Sequence, residues 1–206
     1  MNTNEIMNLA LKLAGLEEVT ADSAIIVEGN NINRILMGVD MDTQEILLAK
    51  ELGYDCVISH HPMTGTPITD FTKVMESQID KMVSFEVPIN KAQKALKKKI
   101  GQVDRGMHVR NYDRTGSAAK LLKIPYQNIH QPADFITEKF VQEFLDDKFE
   151  DNKKVILKDI VEALNTIDEY KNSIAGPKIR VGSDDDYAGK IAVLMAGGTG
   201  GGPDVY

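Results

Sequence analysis

ILMGVDMDTQEILLAKELGYDCVISHHP, Ile35 to Pro62, holds two apolar runs separated by a helical signature. The first run, Ile35 to Val39, reads as a strand. Asp42 can cap a helix, and Glu45 three residues later completes a capping box. Ile46, Leu47, Ala49 and Leu52 follow at helical spacing, and Gly53 stops the helix. The second run, DCVIS, reads as another strand and is closed by His60, His61 and Pro62. Strand, helix and strand fit in about thirty residues, the size of a βαβ unit. The strands should therefore be parallel and the crossover right-handed. Both are almost wholly apolar, as strands covered on both faces are. The predicted fold is α/β, a largely parallel sheet flanked by helices, in a single domain over residues 1–206.

The flanks extend this pattern. Ile6, Leu9, Leu13 and Leu16 follow helical spacing, and Gly15 fits a helix end. ADSAIIVEGNN reads as a short strand closed by turn residues. Residues 64–104 read mainly as helices. Asn90 to Gln93 forms a further capping box, and Lys97–Lys99 falls in the last turn of that helix, where cations favour the dipole. Asp113 to Pro125 is a short helix, and YQNIH a strand. Residues 136–172 form a charged helical insertion whose apolar members are Phe140, Phe144, Ile156, Ile160, Val161 and Leu164. An apolar strand over Ile191–Ala196 then enters a glycine-rich loop. Such a strand and loop normally feed a helix. None follows, so the chain is expected to lack a C-terminal segment.

The net charge is −7. That argues against a general nucleic-acid or anionic-membrane surface, which needs a basic face. The one cysteine, Cys56, lies in an apolar run and reads as a buried, inert thiol of a reducing compartment. The N-terminus lacks the basic start and continuous apolar stretch of a signal peptide. No segment approaches the apolar length of a membrane span. The expected location is the cytoplasm.

His60 and His61 are half of the chain's four histidines. Adjacent residues of a regular strand point to opposite faces. At a strand end, with Pro62 stiffening the exit, two imidazoles can diverge by a small angle. That arrangement suits two metals a few ångströms apart, completed by a bridging carboxylate. It lies at the C-terminal edge of the strands, where open α/β sheets bind ligands. A structural histidine pair is the alternative. Asp113 is a candidate bridging carboxylate or the cap of the helix that follows it, with His108 and Asn111 just before it. Asp40 is either a carboxylate supporting a metal-bound histidine or a strand-end cap. His130 and Asp134 either line a substrate pocket or belong to a satisfied loop. Asp184–Asp186 reads as a solvated turn. GGTGGG lacks the GK[ST] ending of a P-loop, and close backbone packing accounts for it.

Together, GVDMDTQEILLAKELGYDCVISHHP, the His108 to Asp113 block before AAKLLKIP, and the apolar strand into GGTGGG resemble the NGG-interacting-factor-three-like proteins. These are also called GTP cyclohydrolase I type-two homologues, or dinuclear metal-binding proteins. The resemblance implies that His60, His61 and Asp113 bind two divalent metal ions. Zn, Fe, Mn, Co and Ni all suit imidazole and carboxylate ligands. His108 lies one residue further from Asp113 than the family pattern has it. The family's remaining ligands, a histidine and a glutamate, come from a segment beyond the glycine loop.

The leading expectation is a metal-dependent hydrolase of a small-molecule substrate, either a phosphoester or a GTP-cyclohydrolase-like ring carbon. The alternative is a non-catalytic metal-binding adaptor or metal-delivery protein. A third reading is a structural α/β domain without metal. The resemblance also implies a homo-oligomer with sites facing an interior cavity.

Overall fold

The structure is a computed structural model describing residues 1–150 and 154–195. The described residues divide into two compact units: Met1–Ile136 with Met195, and Thr137–Leu194.

The first unit is built on a four-stranded sheet. Its strands are β1 (Ala24–Val27), β2 (Ile35–Gly38), β3 (Cys56–Ser59) and β4 (Tyr126–Asn128), in the spatial order β1-β4-β3-β2. β2 pairs with β3 in parallel, Ile35 opposite Cys56 through Gly38 opposite Ser59. β3 pairs with β4 in parallel, Val57 opposite Tyr126. β1 lies antiparallel on β4, Ala24 opposite Asn128. The sheet is thus largely parallel, with one reversed edge strand. The βαβ unit forms as expected around α2 (Thr43–Glu51), and Asp42 with Glu45 makes the capping box. The expectation that both of its strands are covered holds for β3, all of which is buried. It fails for β2, an edge strand on which Met37 is 67% exposed.

Alternation along the strands sends side chains to two cores. On one face Val57 and Tyr126 pack with Met41, with Ile46 and Ala49 of α2, and with Ala119 of α6 (Arg114–Leu122). On the other, Cys56 and Ile58 pack with Ile6 and Ile32. Ile6 belongs to α1 (Thr3–Ala14), which is capped by Asn2 and closed by Gly15 at φ 71°. That left-handed turn is one glycine adopts without strain. The helix buries Ile6, Met7 and Leu11, whereas the expected Leu9 and Leu13 are exposed. Full burial of a side chain such as Ile46 contributes about 1.5–3 kcal/mol.

α2 and α6 are also tied by a polar link. Asp42 accepts hydrogen bonds from Thr115 Oγ1 at 2.7 Å and from the Arg114 guanidinium. Gly116 fits beside this link because a Cβ there would meet Thr64 Oγ1 at 2.7 Å. Burial by itself would raise the Asp42 pKa. Hydrogen bonds from Thr115 and Thr43, with the Arg114 charge, outweigh it and hold the carboxyl below its ordinary value.

Residues 66–108 form α3 (Thr66–Thr69), a 3-10 turn (Phe71–Met75), α4 (Glu76–Ser84) and α5 (Ile89–His108). α5 departs from expectation in two ways. Pro88 stands at its N-cap, so Asn90 is already inside the first turn and caps nothing. Ile100 continues the apolar face of Ala92 and Leu96 packed with Met82. The helix therefore runs on past Lys97–Lys99, which lie mid-helix.

α7 (Gln131–Phe149) begins in the first unit and continues into the second. The second unit also holds α8 (Leu157–Leu164) and α9 (Asp168–Lys171), with Ile156 bridging Tyr187. Its buried apolar residues include Val141, Leu145 and Ala163, while the expected Phe140 is 54% exposed. The strand expected from Ile191 does not form over Ile191–Met195. A side chain serves that backbone instead: Gln142 Oε1 accepts from Val193 N at 2.8 Å, and its Nε2 donates to Ile191 O at 3.0 Å. Ala196 and the glycine-rich loop lie outside the described residues. Asp184–Asp186 is exposed, as a solvated turn should be. Among the described residues no helix is long and apolar enough to cross a membrane.

Candidate metal centre

Past the end of β3 the chain keeps its ladder to the β2 side. His60 N donates to Gly38 O and His61 N to Val39 O, both at 2.9 Å. Ser59, fully buried, fixes the local path. Its Oγ donates to His61 O at 2.8 Å and accepts from Met41 N at 3.2 Å. Past the end of β4, Ile129 N donates to Ser59 O at 3.0 Å, and His130 N donates to Ser23 Oγ at 2.9 Å. Because β1 is antiparallel, its entry residues Asp22 and Ser23 stand at the edge where β3 and β4 leave the sheet.

Three imidazoles meet at this edge. His60, His61 and His130 each offer a ring nitrogen, and these atoms all lie within 4.8 Å of one another. The rings of His60 and His130 stack, with centroids 4.5 Å apart and planes 14° apart. The His61 ring is tilted by 39° to His60 and 37° to His130. The lone pair of an imidazole nitrogen lies in its ring plane. Two stacked, nearly parallel planes do not converge within bonding reach, so His60 and His130 address different points in space.

Carboxylates stand behind the rings. Asp40 Oδ1 is 2.8 Å from His61 Nδ1, and both side chains are substantially exposed. Asp22 Oδ2 is 2.7 Å from His130 Nδ1, and Asp22 has no exposed surface. Thr20 Oγ1 donates to the other Asp22 oxygen at 2.6 Å. A carboxylate at Nδ1 places the proton there and leaves Nε2 as the donor atom, the usual support of a metal-ligating histidine. Burial, reinforced by the His130 and His61 charges, holds the His60 pKa below its ordinary value. A neutral imidazole is the form that ligates metal. The donor set of three imidazoles with carboxylates at hand suits a divalent transition metal.

Two other expected site residues, Asp113 and His108, are not members of this three-histidine group. Asp113 is the exposed N-cap residue of α6, and its side chain makes no capping hydrogen bond. It lines an open cleft of about 590 Å³ with Thr43, Asn111 and Arg114, and the three histidines do not line that cleft. His108 lies in the last turn of α5, exposed, its Nδ1 2.9 Å from Asp104 O. Asp22 was not anticipated. Its one signal is a carboxylate placed directly before an apolar strand.

The sequence model of the Duf34/NIF3 family (NGG1p interacting factor 3) matches residues 1–101. A solved NIF3 superfamily protein from Sphaerobacter thermophilus is similar over 93% of this chain and 70% of its own. The two share 32% sequence identity and superpose with a TM-score of 0.90. No curated protein sequence matches the chain. On these similarities the chain belongs to the NIF3 superfamily.

Proposed function

We propose that this protein binds two divalent metal ions at the edge formed by His60, His61 and His130 and acts as a metal-dependent hydrolase of a small molecule. The observation that carries the reading is the three-imidazole group, two of whose rings have a carboxylate at hydrogen-bond distance from Nδ1. The stacking of His60 on His130 favours two metal positions over one, because the two rings aim at separate points. When bound, Zn, Fe, Mn, Co or Ni would supply Lewis acidity and make water a stronger acid at neutral pH. The protein's own part is to present neutral donor atoms, to fix ring orientation through Asp40 and Asp22, and to hold the edge rigid through Ser59. A phosphoester, or a ring carbon attacked as in GTP cyclohydrolase chemistry, is the substrate class assigned to the site.

Metal content per chain, measured by elemental mass spectrometry on untagged protein purified without chelator, tests this. Close to two metals per chain, falling in His61→Ala and His130→Ala, is the expected result. Release of phosphate or nitrophenol from phosphoester probes, dependent on the added metal, is expected to accompany it. A chain that takes up neither zinc nor manganese overturns the reading.

A further inference from the structure

α5 concentrates positive charge in an acidic chain. Over Ile89–His108 it carries five lysines and one arginine against one acid, Asp104, although the net charge of the whole chain is −7. Its apolar face, formed by Ala92, Leu96 and Ile100, packs with Met82 of α4. At 3.6 residues per turn, Lys91, Lys94, Lys98 and Arg105 fall within an arc of about 60°, on the side opposite that face. All four are exposed. At 1.5 Å per residue they form a row about 21 Å long. Asp104 stands about 110° round the helix from the row, and its Oδ1 is 3.5 Å from His108 Nδ1.

The helix dipole does not account for this row. Lys91 stands in the first turn, where a cation opposes the dipole, and Lys94 and Lys98 lie mid-helix. A solvated face needs charge, but not charge of one sign. Like charges at i,i+3 and i,i+4, as in Lys91, Lys94 and Lys98, work against the helix. A polyanion laid along the row removes that repulsion. We propose that this face of α5 docks on the phosphate backbone of double-stranded DNA, independently of base sequence. A B-form duplex carries one negative charge per about 1.7 Å of its axis, and its major groove, about 12 Å wide, admits an α-helix. The major groove of A-form RNA is too narrow. Single strands are held by aromatic side chains that stack on bases, and α5 has no Phe, Tyr or Trp. Lipid surfaces are held by an inserted apolar face as well as by charge, and the apolar face of α5 is turned into the protein. The acidic groups elsewhere on the chain are screened beyond about 10 Å at about 0.1 M salt.

The test is fluorescence anisotropy of a labelled, mixed-sequence DNA duplex of about 20 base pairs, roughly threefold longer than the row at about 3.4 Å per pair. The full chain is titrated with EDTA present, so that no divalent cation bridges protein and phosphate and the result is independent of the metal centre. The expected result is saturable binding at about 50 mM salt that weakens about 100-fold by about 200 mM, the dependence of four phosphate contacts. The double variant Lys94→Gln, Lys98→Gln should bind at least about tenfold more weakly, with a salt slope shallower by about two. Its thermal midpoint should be unchanged or higher, because a like-charge pair is gone. The double variant Lys12→Gln, Lys50→Gln makes the same change of net charge at exposed positions of α1 and α2, and should bind as the unmodified chain does. No saturable binding, or equal losses in the two double variants, overturns the proposal. Binding as tight to polyglutamate, to a single strand, or to vesicles of phosphatidylcholine and phosphatidylserine overturns it too.

Discussion

Asp22 Oδ2 stands 2.7 Å from Nδ1 of His130, although 108 residues separate the two in the chain. Asp22 is wholly buried, and a buried carboxylate is tolerated only when paired or hydrogen-bonded. His130, Thr20 and Ser23 supply those partners. The pairing fixes which nitrogen of His130 is left to ligate. Asp22→Asn is therefore expected to weaken zinc binding by about 10–100-fold. Asp22→Ala should in addition destabilise the metal-free protein by about 1–3 kcal/mol, because it strands the buried partners of the carboxylate. Calorimetric titration and urea unfolding measure the two effects separately.

A pH effect follows from His60. Its folded-state pKa lies below the ordinary value of 6.5, chiefly through burial and then through its histidine neighbours. Between 6.5 and the lower folded value, the unfolded chain binds more protons at this position than the native one. Stability in that window rises with pH and is lost as pH falls. The metal-free protein is expected to show a declining thermal midpoint from pH 7 toward pH 5, and His60→Gln should flatten that decline. An equal slope in both proteins would assign the effect to other groups.

Gln127 offers a test that no metal touches. It is fully buried in β4, and neither polar atom of its amide has a hydrogen-bond partner among the described residues. An unsatisfied buried polar group costs about 1–3 kcal/mol. Gln127→Met, close in shape and without the amide, is expected to raise stability by about 1 kcal/mol or more in urea unfolding. A loss of stability would mean that the amide has a role the apolar side chain cannot fill.

The sequence carried the part of the architecture that is local. The Ile35 to Ser59 stretch specified its cap, helix and two parallel strands, because each signal acts within a few residues. It also placed His60, His61 and Asp40 at one strand edge, since the end of a strand follows from its apolar run. The edge position of β2 was not legible, because it depends on which strand pairs last. The reversal of β1 was not legible either, since direction in a sheet is set by distant partners. With it went Asp22, whose importance appears only once β1 is laid against β4. His130 could be noticed as a histidine after a strand, but a lone loop histidine gives no hint of a ring stacked on His60. The glycines at 101 and 106 and the lysines at 97–99 hid the full length of α5, which its apolar spacing sustains.

The antiparallel seam between β1 and β4 has a consequence for how the molecule comes together. His60 and His61 arrive with the short-range βαβ unit, but His130 is oriented only when the N-terminal strand closes onto the last strand of the sheet. A nascent or partly unfolded chain with that seam open presents the histidine doublet without its buttressed third member. Only the closed chain can then hold the ion tightly, and a ligand that binds the closed form selectively stabilises it in proportion to its own affinity. Amide hydrogens along this seam should gain the most protection from exchange when zinc is added. The ion would act as a late clasp on the sheet, marking chains whose two distant strands have met.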